Sequence, residues 1–230
     1  MVTVISLGGS IVAPDKVDID FIKNFTDLIR SFIEKNSDRH FIFVVGGGSP
    51  ARQWQNAYKQ ASQQTASDEE ADWIGIMATR LNAQLIKAMM SQWCNQEVVI
   101  NPAEVKPLTG PVLVAAGWKP GFSTDNVAVL LAERFGADMV INLSNIEKVY
   151  TADPKTDASA KPIDKITWKD FRIITGDEWV PGKNVPFDPV ASRHAEKISL
   201  KVICAGGKNL ENFRKILDGE EFTGTTISGN

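Results

Sequence analysis

The chain is 230 residues long, about one and a half times a ~150-residue domain, so one large domain or two packed lobes can bury a core without staples. Its 25 Lys and Arg against 28 Asp and Glu leave a formal charge of −3 and a pI near 5.5, which excludes a global basic field for nucleic acid. Apolar runs such as 41–45 and 127–132 fall far short of the ~20 residues a membrane span needs. The opening MVTVIS lacks the charged n-region and cleavage site of a secretory signal, so a cytoplasmic protein is expected. Cys94 and Cys204 stand alone, without a CxxC redox or zinc pattern, and read as buried thiols. With His40 and His194 the only histidines, a histidine-built metal site or a Ser-His-Asp hydrolase is not expected.

Taken in chain order, residues 3–7 read as a buried strand that ends in Gly8-Gly9. Residues 18–35 place Ile19, Ile22, Phe25, Ile29 and Ile33 at helical spacing, with Asp18 and Asp20 at the favourable N-terminus. A second buried strand at 41–45 closes on Gly46-Gly47-Gly48, and a helix follows from Pro50 to about residue 61. After a polar loop at 60–67, Ser67-Asp68-Glu69-Glu70 has the Ser-x-x-Glu capping-box pattern and opens a helix to about Trp93. Residues 98–100 and 112–116 are strand candidates, and 117–121 is a Gly/Pro loop. Ser123-Thr124-Asp125 caps a helix to Phe135, followed by a strand at 138–143. The segment 151–189, with Pro154, Pro162, Pro181, Pro186 and Pro189, reads as the least regular part. A helix at 188–199, a strand at 201–205, a helix at 210–217 and a strand at 223–227 complete the series. Alternation of this kind predicts an α/β fold: a three-layer α-β-α sandwich around a mostly parallel sheet. The working division is one domain with two lobes, roughly 1–135 and 136–230.

Three glycine-bearing turns fall where strands end: Gly8-Gly9-Ser10, Gly46-Gly47-Gly48-Ser49 and Gly117-x-x-x-Gly121. Ligands of open α/β sheets sit at carboxyl ends of strands, where glycine lets backbone N–H groups approach an anion. No GxxxxGK[ST] loop and no protein-kinase HRD or DFG set occurs. Gly46-x-Gly48-x-x-Ala51 fits the permissive dinucleotide fingerprint, but the acids about 20 residues on, Asp68, Glu69 and Glu70, open a helix instead of ending a strand. A phosphoryl-transfer enzyme therefore ranks above a nicotinamide enzyme.

These residues resemble the amino acid kinase superfamily, and most closely its archaeal-type uridylate kinases. SLGGS (6–10), with VAPDKVDIDFI (12–22) beyond it, resembles the first-strand turn, and VVGGGSPAR (44–52) the GGGxxAR segment. DWIGIMATRLNA (72–83) is similar to the D-x-x-G helix, and GWKPGFSTDNVA (117–128) to the G-x-x-P-G-x-[ST]-T-D loop. SNIEKVYTADP (144–154) resembles the nucleotide loop, while DPVASRHAEK (188–197) and GTTI (224–227) match the last helix and strand.

The resemblance implies ATP-dependent phosphoryl transfer to UMP, with magnesium on the ATP phosphates and few direct protein ligands for it. It implies Gly48 and Arg52 at the transferring group. Gly47, Asp72, Lys119, Pro120, Gly121, Phe122, Ser123, Thr124 and Asp125 would surround UMP, with Asp72 on the ribose hydroxyls. Gly9, Ser10, Gly48, Arg52, Ser144, Asn145, Tyr150 and Asp153 would line the ATP site. It also implies a homo-oligomer, commonly a hexamer, with no nucleic-acid or membrane partner. The sequence departs from the family pattern at Ser6, where many members carry Lys before the glycine pair. It departs again at Arg193 for Lys in the last-helix motif, at Ser144 for Thr, and at Glu147-Lys148 for Asp-Gly. A same-fold kinase for another small phosphate or carboxylate acceptor, and a non-catalytic nucleotide-binding protein, stay open beside the uridylate reading.

Overall fold

Strands that read as near-continuous apolar runs belong inside a sheet covered on both faces, and that is where the computed structural model places them. It describes residues 1–62, 65–178 and 185–229; part of the loop expected at 60–67, and Pro181, lie outside these. The first half of the chain forms β1 (Val2–Leu7), a one-turn α1 (Gly9–Val12), α2 (Ile19–Lys35), β2 (His40–Val45), α3 (Gly48–Ser62) and α4 (Asp68–Met89). Then come β3 (Val112–Ala115), α5 (Thr124–Phe135), β4 (Met139–Ser144), β5 (Val149–Tyr150), β6 (Pro162–Ile163) and β7 (Lys165–Ile166). The chain finishes with α6 (Trp168–Thr175), α7 (Pro189–Lys197), β8 (Lys201–Gly206), α8 (Leu210–Asp218) and β9 (Thr225–Ile227).

The seven-stranded sheet runs β3-β2-β1-β4-β8-β9-β7, with β9 antiparallel to β8 and every other pairing parallel. Because side chains alternate along a strand, Ile5 and Leu7 face one layer while Val4 and Ser6 face the other. The first layer is α2, α4 and α8, packed through Phe25, Ile29, Ile86, Phe213 and Ile216; the second is α5, α6 and α7. The expected three-layer sandwich is what forms. Among the described residues no helix is long and apolar enough to cross a membrane.

Local signals act as expected at most helix starts. Asp18 accepts a hydrogen bond from the Phe21 amide at 2.9 Å, and Ser123 accepts one from Asn126 at 3.1 Å. The capping box at Ser67 is only half made. Ser67 Oγ accepts from the Glu70 amide at 3.4 Å, but the Ser67 amide donates to the Tyr58 hydroxyl at 3.1 Å instead of to Glu70.

Three expectations need correction. The 98–100 strand shrinks to a single bridge between Val99 and Ala115, because the edge beyond β3 offers only a short stretch to pair with. The helix expected from Pro50 begins at Gly48 and carries the glycine turn into its first residue. The segment 151–189 is not irregular throughout: it holds β6, β7 and α6. Thr167 caps α6, and Trp168 and Phe171 bury fully beside Phe187, with the Trp168 indole donating to the Leu200 carbonyl at 2.9 Å. That helix was hidden because its eight residues bury mainly two large aromatics.

One aromatic ties three elements of the first layer together. Phe25 on α2 lies 5.6 Å from Phe21, 5.3 Å edge-on from Phe43 of β2, and 5.8 Å from Phe213 of α8, measured between ring centroids. Phe25→Ala is expected to cost about 3–5 kcal/mol, read as a fall in the urea midpoint at unchanged slope.

Candidate active site

Parallel pairing sets the ends of β1, β2, β3 and β4 at one edge, so segments far apart in sequence meet there. Leu7 lies opposite Val45 and Leu143, which brings the turns after β1 and β2 and the end of β4 level. The two glycine turns meet backbone to backbone. A methyl group on Gly9 would fall 2.0 Å from the Gly48 nitrogen, and one on Gly46 would fall 2.5 Å from the Gly9 nitrogen. Gly48 also adopts φ +68°, a left-handed conformation that side chains resist. The amides of Gly47 and Gly48 have no hydrogen-bond partner among the described residues.

Beside this junction opens a cavity of about 280 Å³. It is lined by Gly47, by Gln55 of α3, by Asp72, Gly75, Ile76 and Thr79 of α4, and by residues of the 117–124 loop. Of the residues the sequence assigned to UMP, Gly47, Asp72, Lys119, Gly121, Phe122, Ser123 and Thr124 line it. Pro120 and Asp125 do not. Helix α4 holds the loop at several points. Asp72 accepts from the Gly121 amide at 3.2 Å, and Thr79 Oγ1 accepts from the Gly117 amide at 2.8 Å while donating to the Ile76 carbonyl. Arg80 donates to the Trp118 carbonyl at 3.0 Å and the Gly117 carbonyl at 3.4 Å. The exposed Lys119 ammonium sits 4.2 Å from the Trp118 ring centre and 5.0 Å from that of Phe122.

Gln55, Ile76, Thr79 and Arg80 were not singled out from the sequence, whereas Gly75 and Gly117 were read there only as motif and turn glycines, without a place in the site. A signal for part of this set was present: Asp72, Gly75, Thr79 and Asn82 recur at helical spacing, so polar and small residues share the face of α4 that meets the sheet edge.

Of the residues assigned to ATP, Gly9 and Gly48 form the glycine junction itself. Ser10 lies in the first turn of α1, and Ser144 ends β4, where its Cα would lie 3.5 Å from a methyl group on Gly8 and its carbonyl accepts from Gly207 at 2.8 Å. Asn145 is exposed, and Tyr150 is half-buried in β5. Asp153 is committed to its own turn, accepting from the Lys155 amide at 2.9 Å. Arg52 is exposed on α3, lines no part of the cavity, and makes no hydrogen bond or ion pair with the described residues. Lys148 pairs with Asp164, and Arg193 donates to the Asp177 carbonyl, so both are engaged by other residues.

Ser6 faces the second layer and donates its hydroxyl to Asp125 at 2.9 Å, while the Asp188 amide donates to the other Asp125 oxygen at 3.3 Å. Although Asp125 keeps some surface as a residue, its carboxyl is enclosed by protein. That burial pushes the carboxyl up to about 6; the Ser6 hydroxyl opposes the rise and the Asp188 carboxylate adds to it. Burial also pushes the Cys204 thiol up, with Asp125 contributing.

The family model described as the amino acid kinase family matches residues 1–206, and the chain belongs to that family. Among curated relatives, the uridylate kinase of Methanospirillum hungatei is 36% identical over 231 residues, covering 99% of this chain and 94% of its own. The uridylate kinase of Archaeoglobus fulgidus is 36% identical over 230 residues, covering 99% and 100%. The crystal structure of uridylate kinase from the same archaeon superposes with a TM-score of 0.82 at 34% identity, covering 99% of this chain and 100% of that one. The UMP kinase of Bacillus anthracis shares the fold, with a TM-score of 0.76 at 21% identity, covering 99% and 95%.

The raised Asp125 carboxyl has a defined effect on stability. Below pH ~4 the group is protonated both folded and unfolded, and contributes nothing. Between pH ~4 and 6 only the folded protein holds the proton, so stability from this group falls as pH rises. Above pH 6 a cost of roughly 2–3 kcal/mol remains. Asp125→Asn should therefore gain stability relative to the unmutated protein as pH rises from 4 to 7 in urea titrations. A difference that is constant with pH would refute the assignment.

Proposed function

We propose that this protein transfers the γ-phosphoryl group of ATP to UMP, giving UDP. The observation that carries the reading is a cleft at the carboxyl edge of a parallel sheet, where two glycine amides without a partner among the described residues lie beside a loop held by α4. Relatives named uridylate kinase that match nearly the whole chain support it.

Phosphoryl transfer asks little covalent chemistry of a protein, and much positioning and charge stabilisation. UMP enters the cavity on the side of residues 1–135, with its phosphate against Gly47 and its ribose hydroxyls on Asp72. Lys119, Pro120, Gly121, Phe122, Ser123 and Thr124 close around the base, and Asp125 backs them. ATP enters on the side of residues 136–230, along Gly9, Ser10, Ser144, Asn145, Tyr150 and Asp153. Its γ-phosphate reaches Gly48, so an acceptor oxygen attacks phosphorus as the bond to the β-phosphate breaks.

Ser6 brings no cation to this point, and Arg52, on the helix that begins at Gly48, is a guanidinium without a partner among the described residues. Magnesium, when bound, neutralises charge on the ATP phosphates. Among the described residues no three His, Cys, Asp or Glu side chains gather as ligands. A magnesium ion carried in on the nucleotide would keep most of its water there. Self-association, as a hexamer by resemblance, is supported by exposed apolar side chains on neighbouring helices: Trp54 of α3, and Met77 and Leu81 one turn apart on α4. A cytoplasmic location belongs to the same reading.

A coupled assay with ATP and magnesium should give turnover with UMP well ahead of AMP, GMP and acidic amino acids, because a site built to pair with one base leaves polar groups unpaired with another. Equal rates for UMP and AMP would remove the assignment, and binding without UDP formation would establish the non-catalytic alternative. Asp72→Ala should raise the KM for UMP about tenfold or more and leave that for ATP unchanged, from loss of a charge-assisted hydrogen bond. Arg52→Ala should lower kcat by ~10²–10³; near-full turnover would return Arg52 to the solvated surface.

A further inference from the structure

We propose that Asn82 is a positioning residue of the phosphate site: by holding the Gly46 and Gly47 carbonyls it aims the Gly47 and Gly48 amides at the incoming anion. Asn82 lies on α4 and is 3% exposed. Its Nδ2 donates to the Gly46 carbonyl at 2.8 Å and to the Gly47 carbonyl at 3.1 Å. With two carbonyls as partners, only the amino end of the carboxamide can face them.

The consequence follows from peptide geometry. In a planar trans peptide the C=O of one residue and the N–H of the next point in opposite directions. Fixing the Gly46 carbonyl on Asn82 therefore sends the Gly47 N–H the other way, and fixing the Gly47 carbonyl does the same for the Gly48 N–H. Those are the two amides without a partner among the described residues. Gly47 lines the cavity, and the Gly48 nitrogen lies against Gly9, where the acceptor and donor sides meet. Three consecutive glycines lack the side chains that would resist a peptide flip, and a flip would turn carbonyl oxygens toward the phosphate. The Asn82 carboxamide supplies the restraint that the glycines do not. It comes from the helix that also carries Asp72 and Thr79, so one rigid rod sets the phosphate turn, the ribose carboxylate and the 117–121 loop in a fixed relation.

The inference deepens the proposed function and rests on it for the identity of the acceptor, so its test uses inorganic phosphate as well as UMP. Amide resonances of Gly47 and Gly48 are followed by NMR while phosphate or UMP is titrated into the unmutated protein and into Asn82→Asp. That substitution keeps the shape but sets a carboxylate against both carbonyls. Both resonances should shift in the unmutated protein. In Asn82→Asp the response should be lost, with affinity for both ligands at least tenfold weaker and kcat lower by ~10².

A merely structural asparagine would lower the melting temperature and leave the phosphate affinity of the folded protein intact, and that result overturns the proposal. Amides of the unmutated protein that ignore both ligands overturn it too, even if UDP forms. Amides that respond as expected in a protein that makes no UDP uphold the positioning role and remove only the kinase reading. Should Asn82→Asp fail to fold, Asn82→Ser is measured instead; it keeps a single, shorter donor. Reduced phosphate affinity in Asn82→Ser supports the role, and full affinity refutes it.

Discussion

The site depends on one close approach, the backbone of Gly9 against the backbones of Gly46 and Gly48. No other residue type fits there, because even a methyl group would overlap main-chain atoms that the sheet holds in place. The parallel register of β1 and β2, with Leu7 opposite Val45, makes the two turns end level. The Ser49 amide then donates to the Ala13 carbonyl and ties the start of α3 to the end of α1. What the contact leaves behind is a junction of main-chain atoms, at which the Gly47 and Gly48 amides have no partner among the described residues. Such a surface favours phosphate for the same reason that helix N-termini and backbone nests do.

Electrostatics beneath the junction run the other way. Ser6, Asp125 and Asp188 form an enclosed cluster that holds two carboxyl groups and, among the described residues, no cation paired with them. The Ser6 hydroxyl gives Asp125 one hydrogen bond where a lysine would have given a charge, and burial keeps that carboxyl near 6. A cluster of this kind does not attract phosphate. Attraction has to come from the amides and from side chains above the sheet edge, of which Lys119 and Arg52 are exposed. Lys148 and Arg193, the altered motif positions, are spent on Asp164 and Asp177. The changed charge at Ser6 is thus not repaired by a neighbouring lysine or arginine at those positions.

Helix α4 connects these features. Its buried residues Ala83 and Ile86 pack into the first layer, which fixes its axis against the sheet. Along its length Asp72, Thr79, Arg80 and Asn82 reach the 117–121 loop and the 46–47 carbonyls. Loops of this length move readily when only their ends are held. Here the restraint comes from the packed core, so geometry at the cleft inherits the rigidity of the sandwich.

Sequence alone determined the layers and the edge at which a ligand would sit. Apolar strands ending in glycine, and helices opened by Asp18, Ser67 and Ser123, are local patterns that hold wherever the chain is placed. Motif order added seven of the residues that line the cleft, among them Gly47, Asp72 and Thr124. It misplaced what depends on distant partners: the Ser67 box gave its amide to Tyr58, residues 98–100 found only one bridge, and α6 formed around two aromatics inside a proline-rich stretch. Only the tertiary structure decided that Asn82 holds the glycine carbonyls, that Ser6 meets Asp125, and that Arg52 has no partner among the described residues. Each is a contact, or the lack of one, between groups far apart in the chain. Periodicity gives the face a residue occupies, and only the packing of that face against another element gives its partner.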